Sequence, residues 1–139
     1  MSRRSGRFLF SFRSHEVVSG GTWSLWGGKA ERGETPMQTA IREVLEETGH
    51  QFDVTPRHLH RLEKHGFVYD TFLIIVDDEF APVRCRESIG YAWLPIEDVP
   101  TPTHWGLNLL LADQRAVALL KNAVETESGR HCYLRPRLT

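Results

Sequence analysis

The sequence predicts one mixed α/β (α+β) domain, on three observations. A helical segment with clear start and stop signals lies near residues 36–48. Aromatic and β-branched runs suited to strands lie before and after it. A second apolar helical stripe occupies residues 104–124. The length agrees, since 139 residues are enough for one core without disulfides.

Taken in order, Arg7 to Arg13 reads as a strand, rich in aromatics and preceded by Gly6. A glycine-dense loop follows, Gly20-Gly21 and then Trp23 to Gly28. Thr35 is placed to cap a helix, Pro36 suits the first helical position, and Gln38 completes a Thr-x-x-Gln capping box. Gly49 closes that helix in the left-handed conformation. Arg57 to His65 and Phe67 to Asp77 read as two strands joined near Gly66. An acidic, proline-containing loop begins at Asp77, Ile89 to Leu94 is a further strand, and Pro95 ends it. The stretch His104 to Val124 reads as one long helix, with Leu107, Leu110, Leu111, Val117, Leu120 and Val124 along one side. A single domain over residues 1–125 and a polar, loosely held tail at 126–139 are expected.

Composition excludes several classes. Seventeen Lys and Arg against eighteen Asp and Glu give a net charge of -1, which excludes a strongly basic surface as the whole basis of nucleic-acid binding and leaves only a local basic patch open, so nucleic acid is not an expected partner. Runs such as Phe72 to Val76 are far too short to cross a bilayer, so no membrane partner is expected. Met1-Ser2-Arg3-Arg4 is not followed by an apolar run, which argues against a signal peptide. Cys85 and Cys132 allow one bridge at most; free thiols in the cytoplasm are expected.

The first helix carries the chemistry. At about 100° per residue, Met37, Ala40, Ile41, Val44, Leu45 and Thr48 fall on one side, facing a core. Glu43, Glu46 and Glu47 fall together on the other at i, i+3 and i+4 spacing, where like charges repel. A solvated acidic face explains this cheaply, with Arg42 one turn from Glu46. A hard-cation site explains it functionally, because closely spaced carboxylates bind Mg²⁺ or Mn²⁺, which in turn hold phosphates. Acidic residues in the C-terminal half also oppose the helix dipole, a cost that a cation offsets.

The surrounding residues decide between them. Gly28, five residues, Glu34, seven residues, then Arg42-Glu43-Val44-Leu45-Glu46-Glu47-Thr48-Gly49 resembles the Nudix hydrolase signature, G-x5-E-x7-R-E-U-x-E-E-x-G-U with U a bulky aliphatic residue. Gly28, Glu34, Arg42, Glu43, Glu46, Glu47 and Gly49 all match. His50 departs at the final U (box 28–50), a change that concerns packing after the helix. Trp26 stands where proline is usual before the box. Weaker likeness extends from Arg7 to Val124, including Glu87 and Trp93-Leu94-Pro95.

The resemblance implies the Nudix fold, a mixed β-sheet sandwiched between helices. It implies Mg²⁺-dependent (or Mn²⁺-dependent) hydrolysis of a nucleoside diphosphate linked to another group, a small-molecule nucleotide substrate. Glu43, Glu46 and Glu47 would ligate the cation with the Gly27 carbonyl. Glu34 and Arg42 would form an internal ion pair. Lys29 would meet phosphate. The general base would be Glu46, Glu47 or, from a later loop, Glu87. Arg13, Trp26 and Tyr69 are the candidate substrate contacts, within a wider set of aromatics (Trp23, Phe67, Trp93) able to stack on a ring. Leu9 to Ser14 faintly resembles a coenzyme A-associated stretch, but Val18 stands where that pattern has arginine. The alternative function is a nucleotide-binding sensor domain without hydrolysis, which loss of box carboxylates would favour; none is lost. His58 and His60, on one face of a strand, lack a third ligand at suitable spacing and read as surface or packing residues. Finally, Met1 to Ser5 leaves almost no room for the family's usual first strand. A shortened edge is therefore expected, with some tendency to form a homodimer, since an unpaired strand edge invites pairing.

Overall fold

The computed structural model describes residues 1–83 and 85–128. Its elements are β1 (Phe8–Arg13), β2 (Trp23–Ser24), α1 (Pro36–Thr48), β3 (Arg57–Lys64), β4 (Phe67–Leu73), β5 (Ser88–Leu94), a 3-10 turn (Ile96–Asp98), α2 (Trp105–Ala112) and α3 (Gln114–Ser128). Strands pair antiparallel in two sheets, ordered β2-β1-β5 and β3-β4. Among the described residues, parallel pairing is confined to single bridges, Ser2 with Val76 and Trp23 with Thr103. Helix α1 packs on β4 and α3 on β3, so the hairpin lies between helices. The α+β class expected from the sequence is the class observed.

Alternation along β1 turns Phe8 and Phe10 inward, where they meet Leu73, Ile75, Ile96, Leu107, Leu110 and Leu120. Burying each such side chain contributes roughly 1.5–3 kcal/mol, and this core fixes β1 beneath the loop that precedes α1. The apolar run after β4 does not continue the ladder: Ile74 to Val76 turns instead to the N-terminal residues. The Met1 ammonium donates to the Ile74 carbonyl (2.8 Å). The Val76 N–H donates to Met1 O (2.9 Å) and the Arg3 N–H to Val76 O (2.7 Å). A minimal pairing, one bridge between Ser2 and Val76, thus stands where a shortened edge was expected.

Helix α1 follows its signals closely. Thr35 Oγ1 accepts from the Gln38 N–H (3.2 Å), the Gln38 side chain accepts from the Thr35 N–H (2.9 Å), and Gly49 caps the other end at φ 72°. Its apolar face is less buried than its pattern implies. Thr39 and Thr48 are buried, whereas Ile41 and Leu45 remain 43% and 41% exposed. The reason is placement: α1 lies against β4 at an edge, so only part of its stripe is covered.

Two further expectations are corrected. The glycine-dense loop contains the short strand β2, because Trp23 and Ser24 pair with Phe12 and Ser11. The long helix at 104–124 is two helices, broken at Asp113, whose φ and ψ (-83°, 102°) are not helical. Asp113 Oδ1 accepts from the N–H groups of Arg115 (2.9 Å) and Ala116 (3.2 Å), capping α3. Apolar periodicity runs through the break, so only the capping residue signals it. Asp113→Ala is expected to cost about 1 kcal/mol and Asp113→Asn much less, read as shifts in urea midpoint; equal midpoints for all three proteins would remove the capping role. Of the expected tail, Thr126 to Ser128 belong to α3 and the remainder lies outside the described residues.

Candidate active site

Arg42 organises the loop and the helix together. Its Nε and Nη2 donate to Glu34 Oε2 (2.8 Å) and Oε1 (2.9 Å), and Nη2 also donates to the Lys29 carbonyl (2.9 Å). The expected ion pair is therefore present as a bidentate fork, which suits guanidinium. Hydrogen bonding from Arg42, then from the Glu31 N–H, holds the Glu34 carboxyl down to about 2. A depressed carboxyl stabilises the fold above its unfolded value of 4.5, and that contribution is lost as pH falls toward 2. Arg42→Lys cannot make the fork. It is expected to lower the melting temperature at pH 7, with the difference from wild type shrinking as the pH approaches 2; a constant difference would sink the assignment.

The remaining Arg42 nitrogen reaches the box carboxylates. Nη1 donates to Glu43 Oε1 (3.0 Å) and Glu46 Oε2 (3.2 Å), so two carboxylates share one cationic nitrogen. Glu47 is held separately: its Oε2 accepts from the Gly27 N–H at 2.8 Å. Glu43 needs Gly28 beside it, since a Cβ at that position would lie 2.4 Å from Glu43 Oε1. Burial pushes the Glu47 carboxyl up to about 8; the Gly27 hydrogen bond opposes this, the charges of Glu43 and Glu87 add to it, and Arg13 opposes it. Glu87, on an exposed loop, is brought near because its carbonyl accepts from the Ser14 N–H (2.9 Å) just beyond β1. Burial likewise raises the Tyr69 hydroxyl, which feels both Arg13 and Glu47. Glu43, Glu47, Glu87, Arg13 and Tyr69 thus form one electrostatic neighbourhood.

The donor set suits a hard cation, being carboxylates confined to one helix face. Crowding of Glu43 and Glu87 around the half-buried Glu47 is relieved by positive charge, and Arg42 already supplies some of it to Glu43 and Glu46. Among the described residues, no three His, Cys, Asp or Glu side chains converge closely enough to hold a metal ion. The reason is visible: Glu43 and Glu46 turn to Arg42, and Glu47 turns to Gly27.

Other candidates fall as follows. Lys29 is exposed on the loop, its carbonyl bound by Arg42. Arg13 donates through Nε and Nη2 to the Val18 carbonyl (3.1 and 2.8 Å). Trp26 ties its indole N–H to Leu9 O (3.2 Å) and lines, with Gly27, Gly28, Tyr69 and Arg61, a cleft of about 300 Å³. Trp93 is buried, with its indole N–H donated to Phe80 O (2.9 Å), and Trp23 packs on Phe12 at 5.1 Å. Both are therefore core-side rings. His50 joins an aromatic cluster, 4.1 Å from Phe80 and 6.3 Å from Phe52, as packing after the helix requires. His58 and His60 meet different carboxylates, Asp70 (2.7 Å) and Asp113 (3.2 Å), across a bulge in the β3 ladder. Cys85 is a half-buried free thiol; Cys132 and Arg84 lie outside the described residues.

Sequence reading missed the Gly27 N–H as a partner of Glu47, and the close approach of Glu43 to Gly28. Both depend on how the loop folds back over α1, which residue spacing does not encode.

A hairpin, helices and an edge-lying carboxylate helix clamped by one arginine define a Nudix-type domain. A NUDIX domain model matches residues 1–114, and the chain belongs to the Nudix family. It is 31% identical over 112 residues to the oxidized purine nucleoside triphosphate hydrolase of Danio rerio, covering 76% of this chain and 69% of that protein. It is 33% identical over 107 residues to a nucleoside triphosphate pyrophosphatase/Nudix hydrolase fusion protein of Bifidobacterium longum, covering 69% of this chain. The chain spans only 21% of that fusion protein's length. Among solved structures, the Nudix hydrolase RenU from M. smegmatis superposes with a TM-score of 0.64 at 25% identity, covering 81% of this chain and 75% of that one. No helix among the described residues is long and apolar enough to cross a membrane.

Proposed function

We propose that this domain is a Mg²⁺-dependent (or Mn²⁺-dependent) pyrophosphohydrolase that cleaves a phosphoric anhydride bond in a nucleotide or nucleotide derivative by attack of water on phosphorus. The carrying observation is the set Glu43, Glu46 and Glu47 on one face of α1, its loop fixed by the Arg42–Glu34 fork. These carboxylates and the Gly27 carbonyl would hold the ion. When bound, the ion supplies water acidification and charge neutralisation at phosphate oxygens.

The protein's own groups divide the remaining work. The Gly27 N–H fixes Glu47 through Oε2, and Glu47 would accept the proton of the attacking water, with Glu46 and Glu87 as the other candidate bases. Lys29 and Arg13 attract the anionic chain of the substrate, while Trp26 and Tyr69 line the cleft that receives its ring. Cytoplasmic residence and a homodimer complete the reading; Cys85 as a free thiol supports the first. Light scattering tests the second.

The test is a panel of nucleoside triphosphates, dinucleoside polyphosphates, nucleotide sugars and coenzyme A, assayed with Mg²⁺ and with Mn²⁺. Turnover of at least one compound that stops with chelator is expected. Tight binding without turnover would replace the enzyme by a sensor.

A further inference from the structure

Side chains from both sheets and from α1 meet around a cavity of about 140 Å³ in the core. Phe10, Val44, Thr48, Leu59, Ile74 and Trp93 are among its walls, and no described residue that lines it is exposed. Its few polar groups are turned to partners in the chain. The Thr48 hydroxyl donates to the Val44 carbonyl (2.5 Å) and accepts from the His50 N–H (3.2 Å). The indole N–H groups of Trp26 and Trp93 donate to the carbonyls of Leu9 (3.2 Å) and Phe80 (2.9 Å). That leaves the half-buried Thr71 hydroxyl, and a trapped water needs roughly two to four polar partners. An apolar void of this kind stays dry, and its walls forfeit dispersion contacts. The cavity also lies beneath the carboxylate face. Val44 and Thr48 belong to the inner side of α1, and Leu25 and Trp26 lead into Gly27, whose N–H holds Glu47. Leu25, Trp26 and Thr71 line the substrate cleft as well, so these half-buried side chains form the partition between cleft and cavity.

We infer that this cavity is a second binding site, for a small uncharged apolar molecule about the size of one hydrocarbon ring, entering past Trp26 and held against the inner face of α1. A dry cavity of about 150 Å³ lined by aliphatic and aromatic side chains takes up benzene or xenon. The volume and lining here are of that kind. Filling the void restores contacts to its walls while Thr48, Trp26 and Trp93 keep their hydrogen bonds. A ring of the same shape that carries a charge is excluded, because no group in the cavity can pair with it. The ligand class is thus the opposite of the anionic one suited to the neighbouring cleft, and the assignment stands apart from the hydrolase reading.

Benzene and benzoate, equal rings that differ in charge, test it on the full chain. Benzene is expected to raise the melting temperature progressively with concentration, as a ligand of the native state does. It should also shift the methyl resonances of Val44, Leu59 and Ile74 and leave those of the exposed Val18 unmoved. Benzoate should do neither. Leu59→Phe, which fills part of the void, is expected to weaken benzene binding about tenfold, the size of roughly two lost methylene contacts. Leu59→Ala, which widens the void, should melt below wild type and recover more of its stability on adding benzene. Equal responses to benzene and benzoate, no response to benzene up to saturation, or unchanged benzene affinity in folded Leu59→Phe would overturn the site. Cross-peaks from water to the Val44 and Ile74 methyls would overturn it too. Turnover enters none of these measurements, so failure of the hydrolase reading and failure of the cavity site are told apart.

Discussion

Glu47→Gln is expected to reduce turnover by about 10³-fold, the scale on which an enzyme depends on one positioned acid–base group. The fold should survive, because glutamine has the shape of glutamate and offers an oxygen to the Gly27 N–H. Stability provides an independent signature in metal-free protein. Burial raises the Glu47 carboxyl to about 8 from an unfolded value of 4.5. Its contribution to folding is therefore complete below 4.5 and is lost as pH rises through about 8. A neutral amide carries no such dependence. The variant should accordingly melt above wild type at pH 9 and together with it near pH 4.5, as differential scanning calorimetry would show. Wild-type turnover, or a variant that melts lower at pH 9, would place Glu47 outside the site.

Gly28→Ala is expected to cost about 100-fold in turnover, the penalty typical of a group displaced by about 1 Å. Its added Cβ would fall 2.4 Å from Glu43 Oε1 and 2.5 Å from Cδ, and neither separation is tolerable. The Glu43 carboxylate is the flexible end of its side chain, so it moves and the backbone stays. Loss should therefore appear in activity far more than in the urea midpoint. Gly27→Ala is no neutral contrast, because Gly27 sits at φ 159°, where a side chain is strained although an added Cβ meets nothing within 4 Å. A fall in the urea midpoint of Gly28→Ala as marked as its loss of activity would mean that the effect comes from the loop backbone and not from Glu43.

Much of this was legible in the residues because the signals were local. Thr35, Pro36, Gln38 and Gly49 delimit α1 through hydrogen bonds made within four residues, so sequence alone locates both ends. The Arg42–Glu34 pair was legible through the family resemblance. Features that depend on distant packing were not. The coverage of Ile41 and Leu45 depends on where β4 lies, and the partner of Val76 is Ser2, at the other end of the chain. The break at Asp113 was hidden for the opposite reason: Leu110, Leu120 and their neighbours keep helical spacing across it, and a single capping carboxylate redirects the chain. At the site, carboxylate spacing on α1 was readable, whereas the division of Arg42 among Glu34, Glu43 and Glu46 needed three dimensions.

The most direct test of the carboxylate face as a cation site is Mn²⁺ binding at equilibrium, followed by the loss of free-ion signal in electron paramagnetic resonance. The account predicts saturable binding to wild type, competed by Mg²⁺. The Glu43→Gln, Glu46→Gln, Glu47→Gln triple variant should bind at least about 100-fold more weakly, beyond the 10–100-fold that loss of an outer-shell partner produces. Equal affinity for Mn²⁺ in the wild type and the folded triple variant would contradict it.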